Sequence, residues 1–554
     1  MKYPKPSQRY ALAAVVALVF ITLGLSVPIF VGGRPQSIVL QNAAVHAATR
    51  DSYVVTTPIR ITSSPNITLQ KGTLSIVTER GKPPATGEAA AAMLASGNSR
   101  MLLEDATIVL EVETVAPNTP APDVNPTSVA PEALTVPILA AVSRLGFTNL
   151  TIRRGVVVVK RDTGGSEVMS DVRINLAMRR GVSLTATGTF ELQGRQLTLD
   201  ATLGLASDRK DKVRLPFKAE VKGALLEASI SDGQLVVGNQ MRLTAGQAEV
   251  KVAGLRQTAG WLGAPWPGER GLNAFQARGQ LDWYDRTISF SNATFQMDGN
   301  EASGTLSLYW GGARPAIEGT LALKVCDLSK YVTAEKTGTF MGRGGLAWLG
   351  GASGAGSLSL PLIRHLDADL RISADQVKAG DLPLGRSAAS VSIKDSKLLA
   401  DVAEVEISSD GGNMRGQITV DMSSLVPRYV VRGKLEATDT SKATGLLLGH
   451  PIMSGRGNIM FDLAGFGDTV EQISSTLHGK TGIELPEGGS LALDIPQLAA
   501  AASRTIEYKG WGEARRGQTK VSGLTSRFGM QSGLLFAETF KASAGDRLVT
   551  LTGD

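Results

Sequence analysis

The residues of this chain that could do chemistry are few and scattered. His46, His365, His450 and His478 are its only histidines, and no two stand at a metal-ligand spacing such as H-x-x-x-H. They read as surface or turn residues, and no metal site is expected. Gly479-Lys480-Thr481 has the tail of a phosphate-binding loop, but the earlier glycine that such a loop needs falls on Ser474. The surrounding pattern is also that of a strand pair, not of a strand running into a helix. Asp367 and Asp369 are two apart on a strand and share a face, the placement that could pair an acid with a base. On a polar face they read better as solvated carboxylates. Cys326, the single cysteine, lies in the strand-like run Leu321-Ala-Leu-Lys-Val-Cys326 and reads as a small core residue. No G-x-S-x-G elbow is present. We therefore expect no catalytic residue, no cofactor and no enzyme.

The elements that would carry these residues are mostly strands. Among 554 residues, 43% are hydrophobic and 19% charged, which excludes a disordered chain. Glycine is frequent, at 62 residues, and aromatics make up only 5%, so turns are many and bulky residues few. The net charge of +6 is small for the length, and no basic block with interleaved aromatics occurs, so nucleic acid is not an expected partner. With 6 Trp and 8 Tyr scattered along the chain, a carbohydrate-binding cleft of clustered aromatics is not expected either.

From Leu150 onward the hydrophobic period is two. Val182, Leu184, Ala186 and Phe190 share a face, as do Leu197, Leu199, Ala201 and Leu203. The same alternation places Leu366, Ala368, Leu370 and Ile372 together, then Ala403, Val405 and Ile407, then Ile459, Phe461 and Leu463. Each strand thus has one apolar and one wet face, as in antiparallel sheets with one solvated side. A strand–turn–strand cadence near 286–331 returns near 397–448, each copy with a glycine followed by a proline (Gly304 and Pro315, Gly416 and Pro427). Residues 116–131 are rich in proline and read as an exposed loop, followed by one helix over 131–145. The glycine-rich run 342–357 reads as a second loop.

Tyr10 to Val31 hold no charge over about 22 residues, enough to cross a hydrocarbon core of about 30 Å as a helix. Lys2, Lys5 and Arg9 precede it and place residues 1–9 in the cytoplasm by the positive-inside rule. A cleaved signal peptide is the competing reading, but its apolar region is shorter, and Val31-Gly-Gly-Arg34 is a poor cleavage site. The expected organisation is a single-pass anchor at 10–31, a β-rich region at 32–341, the loop 342–357 and a β region at 358–554.

The last hundred residues carry an ordered set of short motifs: Gly455-Arg-Gly457, Leu463-Ala-Gly465-Phe-Gly467, Leu477-His-Gly479, Gly488-Gly-Ser-Leu-Ala-Leu-Asp494-Ile495 and Gly517-Gln-Thr519. Their order resembles the C-terminal region of the AsmA family, and the cadence of Ile288–Val332 is similar too. The family pattern continues past Gly553, so the resemblance implies a chain that ends early or is cut short. The loops at 116–131 and 342–357 depart from it as local insertions. The resemblance implies a protein of the bacterial inner membrane with its bulk in the periplasm. It also implies a long, curved, mostly antiparallel sheet with a few short helices, forming an open groove. The implied role is support of outer-membrane biogenesis by phospholipid transfer, with the membrane, phospholipid and an envelope or outer-membrane protein as partners. On this reading Leu366, Leu370, Ile372, Val405, Ile407, Ile459 and Phe461 face lipid. The alternation alone suits a closed sandwich with a dry core equally well. The rival is accordingly a periplasmic scaffold that modulates outer-membrane protein assembly without binding lipid.

Overall fold

The computed structural model describes residues 38–39, 45–49, 52–56, 59–61, 66–78, 99–112, 147–161, 166–179, 182–204, 213–237, 242–261, 271–284, 286–309, 314–328, 361–379, 382–407, 412–441, 453–496, 517–544 and 547–553. The expected anchor at 10–31, the loops at 116–131 and 342–357 and the helix at 131–145 lie outside them. Among the described residues no helix is long and apolar enough to cross a membrane. The chain is mainly β, and its strands pair mostly antiparallel, with few helices. The described residues divide into two compact units, one ending near Phe295 and the other running from Gln296.

In the first unit the short strands β1 (Ile38–Val39), β2 (Val45–Thr49), β3 (Ser52–Thr56) and β4 (Ile59–Ile61) lead to β5 (Asn66–Thr78) and β6 (Ser99–Val112). A meander follows: β7 (Phe147–Arg161), β8 (Ser166–Arg179), β9 (Ser183–Leu192), β10 (Arg195–Gly204), β11 (Val213–Gly223), β12 (Leu226–Val237) and β13 (Arg242–Val252). After helix α1 (Leu255–Trp261) come β14 (Phe275–Tyr284) and β15 (Thr287–Met297). From β7 to β14 each strand pairs antiparallel with the next. Register aligns the alternating apolar residues across strands, so Leu184 faces Leu203 and Leu203 faces Phe217. Phe190, Phe217, Leu184, Leu199 and Leu203 are all fully buried, so this face is closed to water. Val182 precedes β9 and is exposed, because the strand begins one residue after it. Helix α1 docks at strand ends: Trp261 Nε1 donates to the Leu192 carbonyl at 3.0 Å, and Thr258 Oγ1 to that of Leu225 at 3.5 Å.

The second unit holds β16 (Asn300–Tyr309), β17 (Ala316–Asp327), a 3₁₀ turn (Pro361–Arg364), β18 (Asp367–Ala379), β19 (Leu382–Lys394), β20 (Lys397–Ile407), β21 (Gly412–Asp421) and β22 (Arg428–Asp439). Then come β23 (Met453–Ser454), β24 (Arg456–Phe466), helix α2 (Val470–Thr476), β25 (His478–Leu485) and β26 (Gly489–Leu491). It ends with β27 (Thr519–Val521), β28 (Gly523–Gln531), β29 (Leu534–Ala544) and β30 (Arg547–Gly553). Strands β18 to β22, then β24, β25, β28, β29 and β30, form one antiparallel succession. Strands β23, β26 and β27 make a separate three-stranded sheet. The recurring cadence seen in the sequence takes the same form twice. Strands β15, β16 and β17 have 11, 10 and 12 residues, as do β20, β21 and β22, and Pro315 and Pro427 each stand directly before the third.

Among the described pairings two are parallel, β6 with β7 and β17 with β18. A parallel pair cannot be closed by a hairpin; its connection must travel the length of the strands. The two segments read from sequence as inserted loops, 116–131 and 342–357, fall in these two connections.

Breaks in register recur strand after strand. In the first unit Asp105 of β6, Arg154 of β7 and Asp171 of β8 have φ of 49°, 52° and 44°, and the Arg154 guanidinium grips Asp105 with bonds of 2.8 and 2.9 Å. In the second unit the described breaks fall after Leu384, Ala388, Val402 and Leu435, and again after Arg527 and Ala537. A bulge bends its strand and increases the local twist, so aligned bulges crease a sheet along one line. One of them corrects the sequence reading of β20. The break between Val402 and Val405 turns Ala403 outward into water, while Val405 and Ile407 stay on the apolar face with Leu398, Ala400 and Val402.

Replacing Phe217 by Ala should lower stability by about 3–5 kcal/mol, whereas its outward neighbour Lys218→Ala should change it by no more than about 0.5 kcal/mol. Urea unfolding of the purified chain, followed by tryptophan fluorescence, checks both.

Candidate functional site

The inner face of the second unit can be followed strand by strand, because cross-strand partners point to the same side. One row runs Leu370, Val391, Ala400, Ile418, Val431, Leu463 from β18 to β24. The next runs Leu321, Ile372, Ala389, Val402, Gly416, Gly433, Phe461 from β17 to β24. Every member of this second row is half-buried, and so are Leu370, Val391, Ala400, Ile418 and Val431 of the first. At about 4.8 Å per strand, the second row is about 30 Å long. That exceeds the depth of one hydrocarbon leaflet, about 15 Å.

The rows on either side are covered. Toward one end of the strands Val420, Met422 and Tyr429 pack with Ile363 of the 3₁₀ turn and Ile473 of α2. Toward the other end Ile459, Ile483, Leu485, Leu524 and Ala542 pack against Met453, Leu491 and Val521 of the small sheet and against Ile495. The half-buried rows therefore form a shallow apolar channel between two closed margins. At the facing pair Gly416 and Gly433 the strands carry no side chain of their own. A Cβ at Gly433 would stand 2.5 Å from Cζ of Phe461, so only glycine lets that ring lean across the row.

The seven residues named from sequence divide between channel and margin. Leu370, Ile372 and Phe461 are half-buried on the two rows. Ile459, only 2% exposed, belongs to the closed cluster under the small sheet. Val405, at 6%, lies one row from the channel between Ser387 and Met414. Ile407 is buried between Leu384 and Gly412, and Leu366 is half-buried just ahead of β18. Val391, Ala389 and Val402 were legible in the alternation of β19 and β20. Val431 and Gly433 were hidden by the doublet Val430-Val431.

The chemical candidates do not assemble. Asp367 meets Arg314 at 3.5 Å, and Asp369 is exposed. Lys480 and Thr481 lie within β25, where Thr481 Oγ1 donates to the Met460 carbonyl at 2.8 Å and Lys480 meets Glu538 at 3.3 Å. His478 is exposed beside the Thr476 carbonyl, His365 is exposed, and His450 lies outside the described residues. Cys326 is half-buried on the apolar face next to Val377, and burial raises its thiol pKa. Among the described residues no group of His, Cys, Asp or Glu could hold a metal. A cleft of about 410 Å³ in the first unit is lined by Thr151, Asn175 and Thr187, by Arg153, Arg154 and Arg173, and by Ile152 and Ile174. Each of these arginines has a carboxylate partner: Glu104, Asp105 and Asp171.

At the α2 margin Tyr429 is buried with no hydrogen-bond partner for its hydroxyl, and desolvation pushes its phenol up to about 12. Asp421 closes the β21–β22 loop there. Its carboxylate accepts from the Ser423 hydroxyl and backbone N–H and meets Lys397 at 3.1 Å, which lowers its pKa to about 2.

Two outcomes follow from this geometry. Val405→Glu buries a carboxylate without a partner and should unfold the protein or cost it several kcal/mol, about 3 or more. Ile372→Glu, on the half-open row, should cost about 1 kcal/mol or less, and urea midpoints compare the two. Asp421 is held below its unfolded value of about 3.9, so its contribution is present above that pH and lost as pH falls toward about 2. Asp421→Asn should therefore lower the neutral-pH midpoint and flatten its dependence between about pH 4 and 2.

No family model, curated protein or solved structure matches the chain.

Proposed function

We propose that this chain is a non-enzymatic, membrane-anchored envelope protein of the AsmA type. On this reading it supports outer-membrane biogenesis by carrying phospholipid between the inner and outer membranes. The acyl chains lie across the strands of the second unit, along the rows through Leu370 and Ile372. The observation that carries the reading is the half-buried apolar channel between two closed margins. Leaving such a surface in water is costly without a use for it, and a hydrocarbon chain is the ligand that needs only apolar contact. Each methylene kept from water is worth about 0.8 kcal/mol, so about ten methylenes on the channel offset roughly 8 kcal/mol of hydration cost. No bond is made or broken, which accords with the scattered histidines and solvated aspartates. The creases along the bulges would curl the sheet into the open groove that the family resemblance implies. The second reading, a scaffold that modulates outer-membrane protein assembly, takes its support from the first unit, whose apolar face is closed.

Photoactivatable phospholipid with a diazirine on the acyl chain, incubated with the full chain, tests the proposal. Crosslinked peptides should map to β17–β24, and Ile372→Glu and Val402→Glu should each remove that crosslink while the protein stays folded. Crosslinking confined to residues 10–31 would favour the scaffold.

A further inference from the structure

We propose that one end of the second unit is a bilayer-docking rim, at which Leu425, Val426, Phe466 and Leu534 enter the headgroup layer of a phospholipid membrane. The inference rests on the acyl-channel reading and names the surface by which the unit that carries the channel meets a membrane. Leu425 is 94% exposed and Leu534 74%, with Phe466 at 50% and Val426 at 47%. They stand on three neighbouring tips at one end of the strands: the β21–β22 loop, the end of β24 and the β28–β29 turn. Arg428 faces Phe466 across β22 and β24, and only β25 separates β24 from β28, so the tips form a line about 15 Å long. The margin built by α2 and the 3₁₀ turn lies directly behind them.

The tips are held in place by hydrogen bonds. Ser423 N–H donates to Asp421 Oδ1 at 3.0 Å, Ser424 Oγ to the Val426 carbonyl at 2.9 Å, and Arg364 Nη2 to the Ser424 carbonyl at 3.4 Å. Gly467 N–H donates to the Pro427 carbonyl at 3.1 Å and ties the first tip to the second. Thr476 Oγ1 of α2 accepts from the Phe466 N–H at 3.0 Å and bonds its carbonyl at 2.6 Å. Ser532 and Gly533 both have positive φ, as a two-residue hairpin turn demands, and Gly533 N–H donates to the Leu477 carbonyl at 2.9 Å. Large side chains are thus presented to water by an ordered backbone, so little ordering entropy opposes their insertion.

A bilayer fits this arrangement better than a protein does. A stable protein interface needs a contiguous, well-packed patch of about 1,000 Å² or more, and separate tips do not supply one. An interfacial layer accepts side chains that enter singly, and cations around them favour the phosphates. Arg364 and Arg428 flank the Leu425 loop, and Lys397 neutralises Asp421 beneath it. Acidic residues also stand at this end: Asp468 ahead of α2, Glu471 on α2 and Asp395 in the β19–β20 turn.

The test uses the full chain in amphipol with Cys326 replaced by serine and an environment-sensitive fluorophore on a cysteine at Leu425→Cys or Leu534→Cys. Vesicles of phosphatidylglycerol and phosphatidylcholine carrying shallow doxyl quenchers should blue-shift and quench both probes. Leu425→Asp combined with Leu534→Asp should weaken vesicle binding by about a hundredfold, while acyl crosslinking in detergent is retained. Unchanged emission with vesicles overturns the inference and leaves the channel reading standing if the crosslinks persist. A shift that follows protein concentration without vesicles overturns it in favour of a second copy at this end. Ile372→Glu separates the two readings from the other side, because it should lose the crosslink and keep the docking.

Discussion

Side chains on a strand alternate between faces, and in this chain one face is apolar strand after strand. Water tolerates neither a wide apolar sheet face nor an unpaired backbone, so each strand must pair with neighbours and the shared face must be hidden or used. The first unit hides it, with Phe190, Phe217 and the leucines around them fully buried. The second hides it only at the margins. One is closed by α2 and the 3₁₀ turn, the other by the three-stranded sheet, and the rows between stay half-buried. Everything inferred about function comes from that unequal treatment of one repeated pattern.

Much of the fold was legible because alternation is a local property. The faces of β10 and β18 follow directly from Leu197 to Leu203 and from Ala368 to Ile372. Where a bulge intervenes, the local rule fails: Ala403 reads as inward by parity and is turned outward by the break after Val402. Nothing in the residue types Ala-Glu-Val announces that break. The partner of each strand was legible where a short turn forces a hairpin, and not where a long connection permits a parallel pair. For that reason 116–131 and 342–357 read from sequence only as loops, and that each connects two strands lying side by side in parallel was not legible.

Whether the apolar face is open could not be read from sequence. Leu370 and Leu199 stand in the same alternating context, yet one is half-buried and the other fully buried. The difference lies in what arrives from far along the chain: Met453, Leu491 and Val521 meet Ile459 from a separate sheet, and Ile473 meets Val420 from a helix. Such contacts join residues whose spacing carries no periodic signal. The rim residues were invisible for the opposite reason. A leucine in Ser-Ser-Leu-Val-Pro has no pattern around it, and only the loop's own hydrogen bonds reveal that it is held outward.

The two parallel pairs have a consequence for how such a chain folds. A hairpin meander closes loops of a few residues and extends itself one neighbour at a time, so most of this architecture is entropically inexpensive to grow. At β6–β7 and β17–β18 the chain must instead close a loop of more than thirty residues before any pairing begins. Loop-closure entropy rises only slowly with length, yet it has to be met before the contacts that repay it exist. These two joints are therefore seams in the kinetic sense, dividing the chain into segments that can each zip up on their own. A lengthened connection at a seam would slow assembly of the sheet without altering a single contact of the finished face.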